Sequence, residues 1–428
     1  MFTRIFFGFL IITLTVNCHA EPLLARATAA TVLIQNHLIY GLGEDDNYES
    51  RGTGSGFLVD RDLGLIMTNA HVVGHGHATN RLRFETQEDF IPAERFYVDS
   101  YHDIALLQIP SSAIPINTAP LTLDCEYEIS RGDRIFTVGH PNDHLFTVTE
   151  GIISGIRNMN IDGTFFTSDQ VIEPGSSGSA AVNVSTGKVI GIATQHAKDS
   201  DLSMLTRSTK ACQILNLARQ KLNPARPRLG FQLFLKQGKI SNIVSDIFVP
   251  NHPLMKHDVI THINNTQWDF KTNDDLADML RGHKLNTINL TIKRNGRPIN
   301  LNVPITPGVS DHLRPWVHFS GMVFTTPLQQ DSNQRVDVYP NKVLKLVQFE
   351  RNYDDTAYAE YQVLSSLISI NKIKVNSVEQ VVAILKEAVK KSEKVLLELR
   401  GFDATSDAYR YSYLRNVSVE DLKSNILK

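Results

Sequence analysis

The run Glu173-Pro174-Gly175-Ser176-Ser177-Gly178-Ser179-Ala180-Ala181 decides how the chain is read. A serine set between glycines on a tight polar turn, with an apolar strand start behind it, presents its hydroxyl from a rigid loop among backbone N–H groups. Acyl transfer needs that geometry, because the nucleophile must project and donors must already face the developing oxyanion. Alone, the same run also describes an ordinary Gly/Ser surface turn. Two other stretches supply its company. Thr68-Asn69-Ala70-His71 follows the apolar Leu65-Ile66-Met67, and His102-Asp103-Ile104-Ala105-Leu106-Leu107 puts an aspartate at the head of a strand-like run.

The order His71, Asp103, Ser177 is that of chymotrypsin rather than of subtilisin or the α/β-hydrolases. Five blocks carry a resemblance: Gly52-Thr53-Gly54-Ser55-Gly56-Phe57, Met67-Thr68-Asn69-Ala70-His71-Val72-Val73, Asp103-Ile104-Ala105-Leu106-Leu107, Thr147-Val148-Thr149-Glu150-Gly151-Ile152-Ile153-Ser154 and Pro174-Gly175-Ser176-Ser177-Gly178. In this order over the first half, they make the chain similar to the HtrA/Deg family of trypsin-like serine proteases. The resemblance implies a chymotrypsin-like double β-barrel with His71 and Asp103 on one barrel and Ser177 on the other. Neutral His71 would take the Ser177 proton, Asp103 would hold the ring tautomer, and the Gly175 and Ser177 N–H groups would form the oxyanion hole. It also places Val171, Ile172 and Thr194 at the substrate pocket, where an uncharged wall predicts cleavage after Val, Ile, Leu or Ala. The strand around Gly191 to Gln195 would pair with the substrate backbone. Two departures stand out: Ser176 replaces an asparagine, and Ser179 replaces a glycine, which would add strain if that position needs positive φ.

Length and composition bound the rest. At 428 residues the chain suits two to four domains, and 42% hydrophobic with 21% charged residues is the profile of a globular protein. Lys+Arg number 43 against 45 Asp+Glu, so nothing in the charge balance argues for nucleic acid or an anionic membrane as partner. Arg4, the apolar Ile5 to Val16 and then Cys18-His19-Ala20 read as a signal peptide spanning residues 1–20, cleaved after Ala20. The apolar core is too short to span a membrane. Asn17 is a poor neighbour for lipid attachment at Cys18. Export, most simply to a bacterial periplasm, follows as the expectation.

A protease domain is expected over residues 21–222, with β-barrel patterning of short strands broken by Gly and Asp. Cys125 falls between its two halves and Cys212 opens the helix-like run from Ser208 to Lys221. The resemblance implies a disulfide between them; the residues alone leave open two buried thiols that never meet. Asn223-Pro224-Ala225-Arg226-Pro227 reads as a linker. Beyond it Leu229-Gly230-Phe231, Asp258 to Asn265, a helix near Asn273 to Arg281 and a strand from Ile288 to Lys293 are similar to a PDZ domain over 228–306, an α/β fold whose loop N–H groups take a peptide carboxylate. After a second linker, Pro304 to Asp311, the pattern recurs over 313–428: Leu367 to Lys372 echoes Val259 to Asn264, a helix follows from Ser377, and a strand runs from Val395 to Leu399. This second PDZ-like domain has a poorer loop, Ser320-Gly321-Met322, an insertion from about Thr325 to Gln362, and a tail from Phe402.

No cofactor is expected. His71, His75 and His77 lie close enough in sequence to suggest zinc, but the segment is glycine-rich, no fourth ligand is evident and the triad explains His71 better. Expected partners are unfolded or misfolded proteins and peptides, neither nucleic acid nor membrane, and, by the resemblance, copies of the chain in trimers or multiples. The alternative is a chaperone or adaptor whose protease fold is weak or inert.

Overall fold

The computed structural model describes residues 20–40, 50–100, 102–155, 165–196, 202–227, 229–236, 239–247, 251–270, 276, 278–282, 286–319, 322–325, 344–349, 366–403 and 408–417. The signal-peptide reading of residues 1–19, most of the 41–51 loop, Ser320-Gly321 and residues 418–428 lie outside them. A helix not expected from the sequence, α1 (Ala20–Ala30), leads directly into the first strand.

Two closed barrels follow. The first contains β1 (Thr31–Tyr40), β2 (Ser50–Asp60), β3 (Leu65–Thr68), β4 (His77–Phe84), β5 (Ile91–Asp99) and β6 (Ile104–Gln108), closed in the order β1-β2-β3-β6-β5-β4. A one-turn helix, α2 (Ala70–Val73), leaves β3. The second barrel contains β7 (Arg134–Gly139), β8 (Thr147–Gly155), β9 (Phe165–Ser168), β10 (Ala180–Asn183), β11 (Val189–His196) and β12 (Ser203–Arg207), in the order β10-β11-β12-β9-β8-β7. Closure pairs every strand on both sides over at least part of its length, which limits exposed strand edge. Phe57, Leu58, Ile66, Met67, Leu82 and Leu106 fill the first barrel, and its core cluster extends to Phe136, Val138 and Ile192 of the second. The barrels therefore share apolar surface, while Ile135, Ile153, Phe166, Ala181 and Leu205 form the second barrel's own interior.

Helix α3 (Ser208–Arg219) packs Ala211, Ile214, Leu215 and Ala218 against the shared core. Cys212 on this helix is disulfide-bonded to Cys125 in the connector between the barrels.

Two further antiparallel sheets have the same plan. The third unit holds β13 (Phe231–Lys236), β14 (Lys239–Ile247), β15 (Val259–Ile263), β16 (Thr266–Gln267), β17 (Thr287–Arg294) and β18 (Arg297–Pro304), ordered β13-β14-β15-β17-β18 with β16 paired to β15. The fourth holds β19 (Trp316–Phe319), β20 (Met322–Thr325), β21 (Leu344–Phe349), β22 (Ser366–Ile370), β23 (Ile373–Lys374), β24 (Val395–Asp403) and β25 (Ala408–Val417). Its order β20-β21-β22-β24-β25, with β23 on β22, matches the third unit strand for strand, and β19 is added outside β20. The match extends to a pair of hydrogen bonds. Asn264 donates its N–H to Asn289 O (2.8 Å) and its Oδ1 accepts from Asn289 N (2.9 Å). Asn371 does the same with Leu396 (2.8 and 2.7 Å). Both asparagines have positive φ, 46° and 50°, followed by another positive-φ residue, the turn that a two-residue hairpin needs. Helix α4 (Val378–Lys391) starts at Ser377, whose hydroxyl accepts from the Gln380 N–H while Gln380 Oε1 accepts from Asn376 N.

Two stretches behave differently from their sequence reading. The segment taken as an insertion carries β21, which pairs with β20 and β22 inside the sheet. Both apparent linkers are packed: Asn223 Nδ2 donates to Gly308 O (2.8 Å), and Ser310 Oγ accepts from the Val98 N–H of β5 (2.8 Å).

Candidate active site

His71 lies on α2, two residues past the capping position Asn69, and Asp103 lies in the turn before β6. Asp103 adopts φ 52°, a left-handed conformation that aspartate tolerates better than most residues. Its carboxylate takes two bonds from the same partner: Oδ1 from the His71 N–H (3.0 Å) and Oδ2 from His71 Nδ1 (2.8 Å). Asn69 Nδ2 donates to the Asp103 carbonyl (2.8 Å) and fixes the turn from below. Burial alone would raise the Asp103 carboxyl, but the charge and two hydrogen bonds of His71 carry it below the usual carboxylate range. With Nδ1–H directed at Asp103, the second ring nitrogen, Nε2, is left as a base, and the His71 side chain is 45% exposed to meet a substrate.

Ser177 arrives from the turn before β10. Its Oγ donates to the Thr194 carbonyl at 2.7 Å, so the hydroxyl proton must leave that carbonyl to turn toward His71. His71, Ser177 and Gly175 line one cleft of about 320 Å³ with Thr53, Gly74 and Pro174. Two glycines make the turn possible. Gly175 has φ 95°, and a Cβ there would stand 2.2 Å from the His140 carbonyl; Gly178 has φ 90°, and a Cβ would stand 2.0 Å from Ser55 O. Among the described residues neither the Gly175 nor the Ser177 N–H bonds to a backbone carbonyl.

Sequence reasoning missed the supports of this turn. Asn142 N–H holds the Pro174 carbonyl (2.8 Å), which orients the peptide whose other end is the Gly175 N–H. Ser55 Oγ donates to Gly175 O (2.7 Å) and receives from His140 Nδ1 (2.9 Å). His140 is wholly buried, and burial, with the charge of Arg83 in the same direction, pushes its imidazole down to about 4. It is therefore neutral, and its Nδ1–H tautomer is set by the direction of the Ser55 bond. Ser55 belongs to the quoted Gly54-Ser55-Gly56 block, yet only the pairing of barrel with barrel shows what its hydroxyl does.

The remaining expected residues are placed as follows. Ser179 is not among the positive-φ residues; its Oγ donates to Ser176 O (2.7 Å) and occupies the space where a Cβ on Gly139 would be (2.3 Å). Val171 is 56% exposed, Ile172 is in the second barrel's core, and the Thr194 hydroxyl turns inward to Thr206 (2.9 Å). Of that trio Thr194 reaches the serine, through its carbonyl. Leu229 and Phe231 pack on the third unit's core, with Gly230 at φ 72° between them. His75 meets the Ser100 hydroxyl (3.1 Å) and the His77 ring lies tilted at 40° to that of Trp316. No cluster of metal-ligating side chains is present among the described residues.

With this geometry in hand, comparison with known proteins gives concordant results. Residues 54–192 match the trypsin-like peptidase domain. The chain is 29% identical over 293 residues to a serine protease Do-like HtrA of Lactobacillus helveticus, covering 60% of this chain and 68% of that protein. It is 32% identical over 151 residues to a probable periplasmic serine endoprotease DegP-like of Hahella chejuensis, covering 34% of this chain and 30% of that protein. The chain thus spans about two thirds of the first relative and under a third of the second. In fold it resembles the HtrA-type protease AlgW solved with a tripeptide, with a TM-score of 0.53 and 22% identity over 67% of this chain and 96% of that one. The chain thus carries a trypsin-like peptidase domain over residues 54–192 and is similar to HtrA- and DegP-type serine proteases.

Proposed function

We propose that this chain is an exported endopeptidase that cleaves unfolded or damaged proteins through Ser177, His71 and Asp103. The observation that carries this reading is the two hydrogen bonds from His71 to Asp103, with His71 sharing a cleft with Ser177 and Gly175. His71 Nε2 takes the Ser177 proton as Oγ attacks the scissile carbonyl, and the imidazolium is stabilised by Asp103. The tetrahedral oxyanion is met by the Gly175 and Ser177 N–H groups. His71 then delivers the proton to the leaving amine, and water repeats the sequence on the acyl-enzyme.

The third unit acts as a PDZ domain, over 228–306, that captures substrate segments, and the fourth, over 313–428, is a PDZ-like domain whose corresponding edge is taken by β19. β13 ends its sheet order, so its outer edge can accept an extended peptide, with Leu229-Gly230-Phe231 at the carboxylate. The leader sequence and a relative named as periplasmic support export. Homo-oligomers remain part of the proposal by family resemblance alone.

Digestion of a denatured model protein, with the products sequenced, tests the whole reading. Cleavage after Val, Ile, Leu or Ala, abolished by Ser177→Ala, is expected. Cleavage after Lys or Arg contradicts the pocket assignment. A second reading, a holding chaperone with a weak protease, draws on the Ser177–Thr194 bond, which keeps the hydroxyl proton away from the base; suppression of aggregation without any digestion would favour it.

A further inference from the structure

The strongest constellation outside the cleft lies behind Asp103. Arg281, contributed by the third unit, has a side chain only 1% exposed and spends its donors on five groups. Nε donates to Asp278 Oδ1 (2.7 Å) and Nη1 to Tyr97 OH (3.0 Å) and Pro224 O (2.5 Å). Nη2 donates to Asp99 Oδ2 (2.7 Å) and lies 2.9 Å from His102 Nδ1. A buried guanidinium survives only with such complete pairing, and the carboxylates around it raise its affinity for its proton against the cost of burial.

Asp99 ends β5 and His102 precedes Asp103, so Arg281 grips both shoulders of the turn that carries the carboxylate. His102 is fully buried, its Nδ1 lies 3.0 Å from Asp99 Oδ2, and its carbonyl accepts from Thr206 Oγ1 (3.2 Å). β4 pairs with β5 only over Ala93 to Ile91, so the far end of β5 has an open edge. Residues after the third unit cover it: Ser310 Oγ accepts from Val98 N (2.8 Å) and Asp311 Oδ2 from Ser100 N (2.7 Å). Asp103 itself is held at positive φ, a conformation that persists where its surroundings over-determine it.

We infer that Arg281 is a positioning residue for the Asp103–His71 pair: the third unit completes the catalytic apparatus by clamping Asp99 and His102, instead of serving only as a substrate-capturing appendage. This rests on the triad proposed above. Without the clamp the turn gains alternatives to φ 52°, and the carboxylate spends less time on His71 Nδ1.

The test uses the full-length protein and a short peptide substrate. Arg281→Met is expected to lower kcat about 10- to 100-fold with KM within about twofold. The acid limb of kcat/KM should move to lower pH, because an imidazolium less well paired with Asp103 loses its proton more easily. Arg281→Lys should fall between. Lys210→Met breaks an ion pair of the same interface, Lys210 to Asp278 (2.5 Å), without touching the bonds to Asp99 and His102, and should cost less than about twofold. If thermal melting shows Arg281→Met unfolded, Asp99→Asn, of equal volume, carries the test with the same expected direction. Folded Arg281 and Asp99 variants with wild-type kcat, or a loss matched by Lys210→Met, overturn the clamp. Failure of the triad is told apart by Ser177→Ala: if that variant keeps wild-type turnover, the triad reading is what fails.

Discussion

Gly175 shows how much a single position is asked to do. Its N–H lies opposite the Pro174 carbonyl that Asn142 holds, as a trans peptide dictates, its φ is 95°, and its own carbonyl is pinned from the opposite barrel by Ser55. Gly175→Ala puts a methyl group 2.2 Å from His140 O in a conformation that alanine resists, so the turn must rotate and one oxyanion donor is lost. Steady-state kinetics should show kcat lower by about 10²–10³ with the fold intact. His140 gives a pH signature. Its folded value of about 4 lies below the usual 6.5 because it is buried, so between these values the unfolded chain binds a proton that the folded one does not. Stability is therefore complete above about pH 6.5 and declines as pH falls toward 4, by on the order of 3 kcal/mol from this residue. Urea midpoints at pH 7 and pH 4.5 measure the decline, and His140→Asn should flatten it; an unchanged slope would remove His140 as its source. The triad candidates were legible because the chemistry demands particular residue types at strand ends. Ser55 and His140 were not: neither a serine in a glycine run nor a lone histidine announces a partner more than eighty residues away.

Among elements, the glycine-punctuated strands of the barrels could be read, whereas β12 could not. Ser203-Met204-Leu205-Thr206 is buried on both faces and so lacks the alternation that marks a half-exposed strand. Helix α1 was obscured because Ala20, its first residue, was read as the end of a signal peptide. The repeat in the second half was visible in Asn264 and Asn371, since a two-residue turn with positive φ leaves few residue choices. What the sequence hid is β19. It pairs with β20 in full register, Trp316 to Thr325 through Phe319 to Met322, and so takes the edge that is open on β13 in the sister unit. A peptide that adds as a strand should therefore find one site per chain. Calorimetric titration with an apolar C-terminal peptide is expected to give a stoichiometry of one, lost in Gly230→Val, where a β-branched residue is forced to φ 72°. Two equivalent sites would mean that β19 yields its place.

At the scale of the whole molecule, the two barrels share a core, a disulfide ties the connector between them to α3, and the third unit reaches back to the turn before β6. These arrangements could not be read from local pattern, because Arg281 and Asp99 are unremarkable charges until the fold buries them together. All of it converges on one hydroxyl. The central claim is that Ser177 is a nucleophile activated by His71, and the most direct measurement is the intact mass of the protein after treatment with a serine-directed phosphonate. One adduct per chain, located on Ser177 and absent from Ser177→Ala and His71→Ala, is the predicted result. A protein that remains unlabelled under conditions where it is folded, or that carries its label on another residue, would contradict it.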